Sequence, residues 1–205
     1  MKIMRLPVKS TSAARSARKL ASVTFGPRCS EPLSRSELLC LLRSESRAAS
    51  RKIELIVVHC SDTRPSQEFT IEKLKASHKR EGFGEYPGYH LYIRRDGTLY
   101  YCRPLSMRGC HVRGYNEHSI GVCYEGGHRE NEIVLSGWKK EKGEGKNLPA
   151  SKYEDNRTPA QKEVLREVLR TLHEMYPGAR ICGHRELNPH TACPCFDVAS
   201  ECANY

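Results

Sequence analysis

The chain has 205 residues with 34 Lys and Arg, 24 Asp and Glu, and 10 cysteines. That length suits one domain with its own core plus an appendage, and no apolar run approaches the ~20 residues of a membrane-crossing helix. Residues 1–52 hold 12 basic and 3 acidic side chains, a net of +9, leaving 22 basic and 21 acidic residues and a net of +1 for the remainder. A basic-patch argument for nucleic acid therefore applies only to the first 52 residues, and nucleic acid is not the expected partner of the rest.

Residues 1–50 are rich in Ser, Arg and Ala, with no acidic residue before Glu31. They read as a disordered basic extension or a transit-like peptide, dispensable for chemistry. Within them, SRSELLCLLRSES (34–46) has the makings of a short helix capped by Ser34 or Ser36. The folded domain is expected over 51–205. Its first strand is the β-branched run IELIVVH, Ile53–His59. Thr70–Arg80 reads as a helix ending before Gly82. Tyr89–Arg94 and Thr98–Cys102 pair as a hairpin across Arg95-Asp96-Gly97, because Asp-Gly favours a tight turn. Ser119–Tyr124 is another buried strand, stopped by Gly126-Gly127. Residues 128–157 are polar and charged, and are expected to be a long, mobile surface loop. Thr158-Pro159 opens a helix with apolar positions at 164, 165, 168, 169 and 172. Arg180–Cys182 is a short strand leading to His184. Strands alternate with helices, so the fold class is α/β: a single domain with a central mixed sheet flanked by helices.

The cysteines are scattered. Cys60 and Cys123 lie inside apolar runs, where a free thiol packs as a small hydrophobe. With no apolar N-terminal stretch of secretory length, a reducing, cytoplasmic location is expected.

His59, His184 and Cys193 stand in IVVHCSDT (56–63), CGHREL (182–187) and HTACPCFD (190–197). A lone histidine at a strand end is ordinarily a hydrogen-bonded core residue. Two imidazoles and one thiolate, however, make a three-ligand zinc set that leaves a fourth position for water. Ligands at strand ends would be held by the sheet.

The chain from about 53 to 198 resembles the zinc-dependent N-acetylmuramoyl-L-alanine amidases of the phage T7 lysozyme type, whose superfamily includes the peptidoglycan recognition proteins. The resemblance is carried by VVHCSDT (57–63), KREGFGEYPGYHLYIRRDGT (79–98), HVRGYNEHSIGVCYEGG (111–127), TPAQ (158–161) and GHRELNPHTACPCFD (183–197). It implies a peptidoglycan hydrolase that uses Zn2+ to activate water against the amide between N-acetylmuramic acid and L-alanine. It implies His59, His184 and Cys193 as ligands and Tyr89 as the catalytic tyrosine. His90 then packs behind the site. His111, Tyr115 and Asn116 fall in the segment that lines the substrate groove, and Arg64 and Arg113 suit stem-peptide carboxylates. A monomer acting on the cell wall after release is expected. Some relatives bind peptidoglycan without cleaving it, and retention of all three ligands and Tyr89 argues against that alternative. Three departures stand out. Cys193 follows His184 by one more position than in the closest relatives. Thr191 occupies the place of a lysine that those relatives carry. A further branch, with Asp as third ligand, has a glutamate where Cys123 stands here, with Glu125 two residues on. The partner of Tyr89 is therefore open among Thr191, His190 and Glu125.

Overall fold

The structure, a computed structural model, describes residues 32, 34–46, 51–131 and 152–203. Five strands form one mixed sheet in the order β3-β2-β4-β1-β5: β1 Leu55–Cys60, β2 Leu91–Ile93, β3 Leu99–Tyr101, β4 Ser119–Tyr124 and β5 Arg180–Gly183. Only β2 and β3 are antiparallel; β1 runs parallel to β4 and β5, and β2 parallel to β4. This is the expected α/β architecture. The first strand is shifted, beginning at Leu55 and ending at Cys60. The hairpin is shorter than the pattern suggested, because Tyr89 and His90 lie ahead of β2 in an irregular approach. Gly97 closes the turn at φ 86°, a conformation that a side chain disfavours.

Alternation along the strands divides the domain into two layers. Ile56 and Val58 of β1 and Ile120, Val122 and Tyr124 of β4 share one apolar cluster with Leu165, Val168, Leu169 and Leu172. Those last four lie on a helix spanning Pro159–Met175. Thr158 and Gln161 cap it reciprocally, with Pro159 at its first position. On the other face, Tyr92 and Cys123 pack with Ile71 and Leu74. Those two belong to helix Ile71–Arg80, capped by Thr70. His59 alternates with Val58, so its side chain lies on this second face.

Residues 34–46 alter the expected organisation. Helix α1, Arg35–Ser46, opens on a reciprocal pair in which Glu37 N donates to Ser34 Oγ and Ser34 N to the Glu37 carboxylate. It falls on the extension side of the boundary expected at residue 51. Yet Leu38 and Leu42 are fully buried in the main core cluster. Buried Glu45 accepts from Leu105 N at 2.9 Å and from the Tyr101 hydroxyl. The helices in chain order are then α2 Ile71–Arg80, α3 Pro159–Met175, α4 His184–Leu187 and α5 Val198–Glu201. The rest of residues 1–50, and most of the segment expected to be a mobile loop over 128–157, lie outside the described residues. The described ends of that segment are anchored. His128 is buried and bridges to Tyr153, and Arg157 is buried between Asp155 and Glu201.

Candidate metal centre and active site

The end of β1 and the start of α4 bring the two histidines together. Val58 is in register with Gly183, so the next residue on each segment, His59 and His184, emerge side by side with ring centroids 4.7 Å apart. The third group arrives on the loop after α4, which is tied down by Arg185 N donating to Cys193 O at 2.7 Å and Cys60 N donating to Cys193 Sγ at 3.1 Å. One ligand atom from each of His59, His184 and Cys193 lies within 4.8 Å of the others. His59 Nδ1 is 3.8 Å from Cys193 Sγ, a separation that an ion bonded to N at ~2.0 Å and S at ~2.3 Å would span. His59 is buried and the other two are partly exposed, so the site opens on the side of His184 and Cys193.

The donor chemistry fits a divalent cation of borderline softness. Burial lowers the His59 and His184 imidazoles below the ordinary histidine value, with His184 opposing a charge on His59 as well. Both are therefore neutral and carry lone pairs. Burial pushes the Cys193 thiol up, and the neighbouring Cys60 thiol adds to the effect. A bound cation reverses that balance, because a coordinating thiol is deprotonated outright. All nine cysteines among the described residues are free thiols.

The Tyr89 ring lies 5.1 Å from that of His59. Burial raises its phenol well above the ordinary value, and nearby thiols add to this. Tyr89 is therefore a proton-bearing donor throughout the working range, not a base. The approach to Tyr89 is held by Arg103. This buried guanidinium donates to the carbonyls of Pro87, Arg108, Phe83 and Tyr86 at 2.8 to 3.2 Å. Arg103 gives no sequence signal, since an arginine in a turn reads as solvated charge.

The other expected site residues are only partly assembled. Thr191 is beside the ligand, its hydroxyl accepting from Cys193 N at 3.2 Å, which leaves its own proton to donate. His190 is exposed. Glu125 is buried and committed elsewhere, accepting from Phe69 N, Arg94 Nε and Arg95 N. It anchors the α2 approach to the β2–β3 turn and is not available as an acid–base partner. Cys195 faces Cys60 and Gly127 O, at 3.7 and 3.3 Å, and is outside the ligand group. His90 packs behind, accepting from Gly121 N and bonding Met107 O, both at 3.0 Å. His111 turns inward to His59, with Nδ1 2.9 Å from His59 Nε2. Asn116 spends its carbonyl on His111 N and Val112 N. Tyr115, Arg64 and Arg113 are exposed.

The buried histidines carry a pH signature. Burial lowers His90 to about 3, and His59, His78, His111 and His184 also shift down. As pH falls below about 6.5, the unfolded chain takes up these protons first. The stability contribution is therefore complete above that value and drains away below it, at ~1.4 kcal/mol per pH unit for a histidine shifted as far as His90 and less for the partly exposed His184. The melting temperature of the metal-free protein is expected to fall clearly between about pH 7 and pH 5, before most carboxylates titrate. A flat profile across that interval would contradict the buried, neutral assignment.

A mixed α/β sheet that gathers two histidines and a loop cysteine into a cluster able to hold a metal ion is a framework that suits a hydrolase. Comparison with known proteins makes the class specific. The family model described as N-acetylmuramoyl-L-alanine amidase matches residues 49–196, and the chain belongs to that family and has its peptidoglycan amidase function. It is 39% identical over 145 residues to the endolysin of Escherichia phage T7, covering 71% of this chain and 82% of that protein. It is 37% identical over 143 residues to the endolysin of Klebsiella phage KP32, covering 70% and 81%. Among solved structures, the amidase LysC from Clostridium intestinale URNW superposes with a TM-score of 0.55 at 24% identity, covering 87% of this chain and 90% of that one. Drosophila PGRP-LB superposes with a TM-score of 0.53 at 18% identity, covering 77% and 83%. At those identities the structural likeness speaks for the fold. No helix among the described residues is long and apolar enough to cross a membrane.

Proposed function

We propose that this amidase is zinc-dependent, that His59, His184 and Cys193 hold the metal, and that it cleaves the amide between N-acetylmuramic acid and L-alanine of the stem peptide. The observation that carries the reading is the cluster of two imidazole nitrogens and one sulfur within 4.8 Å, with the Tyr89 ring against one of them. When bound, zinc supplies a Lewis acid that polarises the scissile carbonyl and acidifies water.

The chain's own residues do the rest. The ends of β1 and β5 place the two histidines and hydrogen bonds tie down the Cys193 loop, so little reorganisation is needed at reaction. Negative charge develops on the carbonyl oxygen as the carbon becomes tetrahedral, and a preorganised donor there lowers the barrier. Tyr89 is that donor, because burial keeps its proton in place. Thr191 offers a second, weaker hydroxyl beside Cys193, with no useful acid–base pKa. Exposed Tyr115 and Arg64 are proposed to meet the peptidoglycan substrate, Arg64 through a stem carboxylate. Asn116 supports them by shaping the 111–116 turn.

Tyr89→Phe removes one hydroxyl and little packing. It is expected to leave zinc content and melting temperature unchanged and to cut turnover of soluble muropeptides by roughly 10²-fold, the scale of one lost oxyanion donor. Mass spectrometry of the digested muropeptides identifies the bond cut. Full turnover in folded Tyr89→Phe would remove Tyr89 from the mechanism.

A further inference from the structure

We propose that His111 is a positioning residue for His59: it accepts the Nε2–H of that imidazole and so fixes the tautomer whose Nδ1 is free for the metal. The proposal rests on the ligand assignment above. His59 presents its two nitrogens in opposite directions. Nδ1 faces Cys193 Sγ at 3.8 Å, and Nε2 lies 2.9 Å from His111 Nδ1. A ligating nitrogen must carry its lone pair, so the ring proton of His59 belongs on Nε2, where His111 Nδ1 accepts it. The proton of His111 then belongs on its own Nε2, which lies 3.3 Å from Ser119 Oγ. The chain of partners runs from ligand to His111 to a hydroxyl buried at the start of β4.

His111 is built into this place. A Cβ at Gly109 would come within 2.4 Å of its ring, and one at Gly121 within 2.7 Å. Such separations are far inside van der Waals contact, so both positions need the bare backbone to admit the imidazole. Its own N–H is fixed at 2.8 Å to Asn116 Oδ1. The rings of His59 and His111 meet edge-on at 83°, so the nitrogen of one addresses the nitrogen of the other. With both nitrogens occupied, His111 acts on the reaction through His59 and not by binding substrate.

The test compares His111→Ala with His111→Asn, whose side-chain oxygen can take the place of Nδ1 as an acceptor. Zinc affinity is measured by competition with a chromogenic chelator. Cobalt-substituted protein reports ligand geometry through its visible absorption, and the melting temperature of the metal-free protein reports packing. His111→Ala is expected to weaken zinc binding by about 10- to 100-fold, the range typical for the hydrogen-bond partner of a ligand. His111→Asn is expected to recover most of that affinity and the cobalt spectrum even where its metal-free melting temperature stays low. Unchanged affinity in His111→Ala would overturn the proposal, as would equal weakness of the Asn and Ala variants. Absence of zinc from the unaltered protein would instead sink the ligand assignment, and this proposal with it.

Discussion

Cys193→Ala is expected to lose stoichiometric zinc and all measurable amidase activity while remaining folded. Three protein donors are the minimum for a catalytic zinc, and the thiolate is the only charged member of this set. Without it, two neutral imidazoles face a divalent ion. The fold should survive, because Cys193 is partly exposed and packs at the edge of the core, not in its centre. The local cost is that Cys60 N loses the sulfur it donates to at 3.1 Å, a penalty of about 1–3 kcal/mol if water does not replace it. Cys193→Asp supplies an oxygen ligand that zinc also accepts. It is expected to retain part of the metal and part of the rate, separating loss of a ligand from loss of a side chain. Metal analysis of the purified variants, paired with turnover of soluble muropeptide, decides the matter. Full zinc and full activity in Cys193→Ala would show the ligand assignment to be wrong.

The proposed ligands were legible only through the family resemblance, whose motifs are local runs around His59, His184 and Cys193. A strand-end histidine taken alone reads as a core residue. The caps Thr70 and Thr158, the Asp96-Gly97 turn and strand β4 were legible without it, since each is set by residues within a few positions of itself. What could not be read depends on distant partners. Glu125 looked available for chemistry. Its fate was decided by Phe69 N and Arg94, 56 and 31 residues away in sequence. His111 looked like a groove residue because its motif lies near one. Its direction was settled by the empty space at Gly109 and Gly121 and by the far nitrogen of His59. Arg103 was silent because only the folded loop gathers four carbonyls around it. Helix α1 was read correctly as a helix, but a run of LLCLL flanked by serines and arginines does not say whether its apolar side has a partner.

That helix sets the other large effect. A chain beginning at Arg51 is expected to be much less stable than one beginning at Pro32, although it keeps all but the first two residues of the family match over 49–196 and every proposed ligand. Leu38 and Leu42 are fully buried, and truncating a buried leucine to alanine typically costs about 2–5 kcal/mol. Removing the whole helix also uncovers the apolar surface beneath it and takes the Glu45 carboxylate from Leu105 N and the Tyr101 hydroxyl, leaving Leu105 N only its 2.8 Å bond to that hydroxyl. Against a total stability of ~5–15 kcal/mol for a domain, a loss of about 5 kcal/mol is severe, and at ~2–4 °C per kcal/mol it lowers the melting temperature by roughly 10–20 °C. The metal centre should suffer less than the fold. α1 packs in the cluster with Ile56 and Val58, on the face of the sheet away from the His59 side chain. At low temperature the shorter chain is therefore expected to bind zinc, to turn over soluble muropeptide, and to be cut rapidly by protease. Thermal denaturation and limited proteolysis of the two chains in parallel test this. If the chain from Arg51 melts with the longer one, α1 contributes nothing to the core and the domain begins at residue 51.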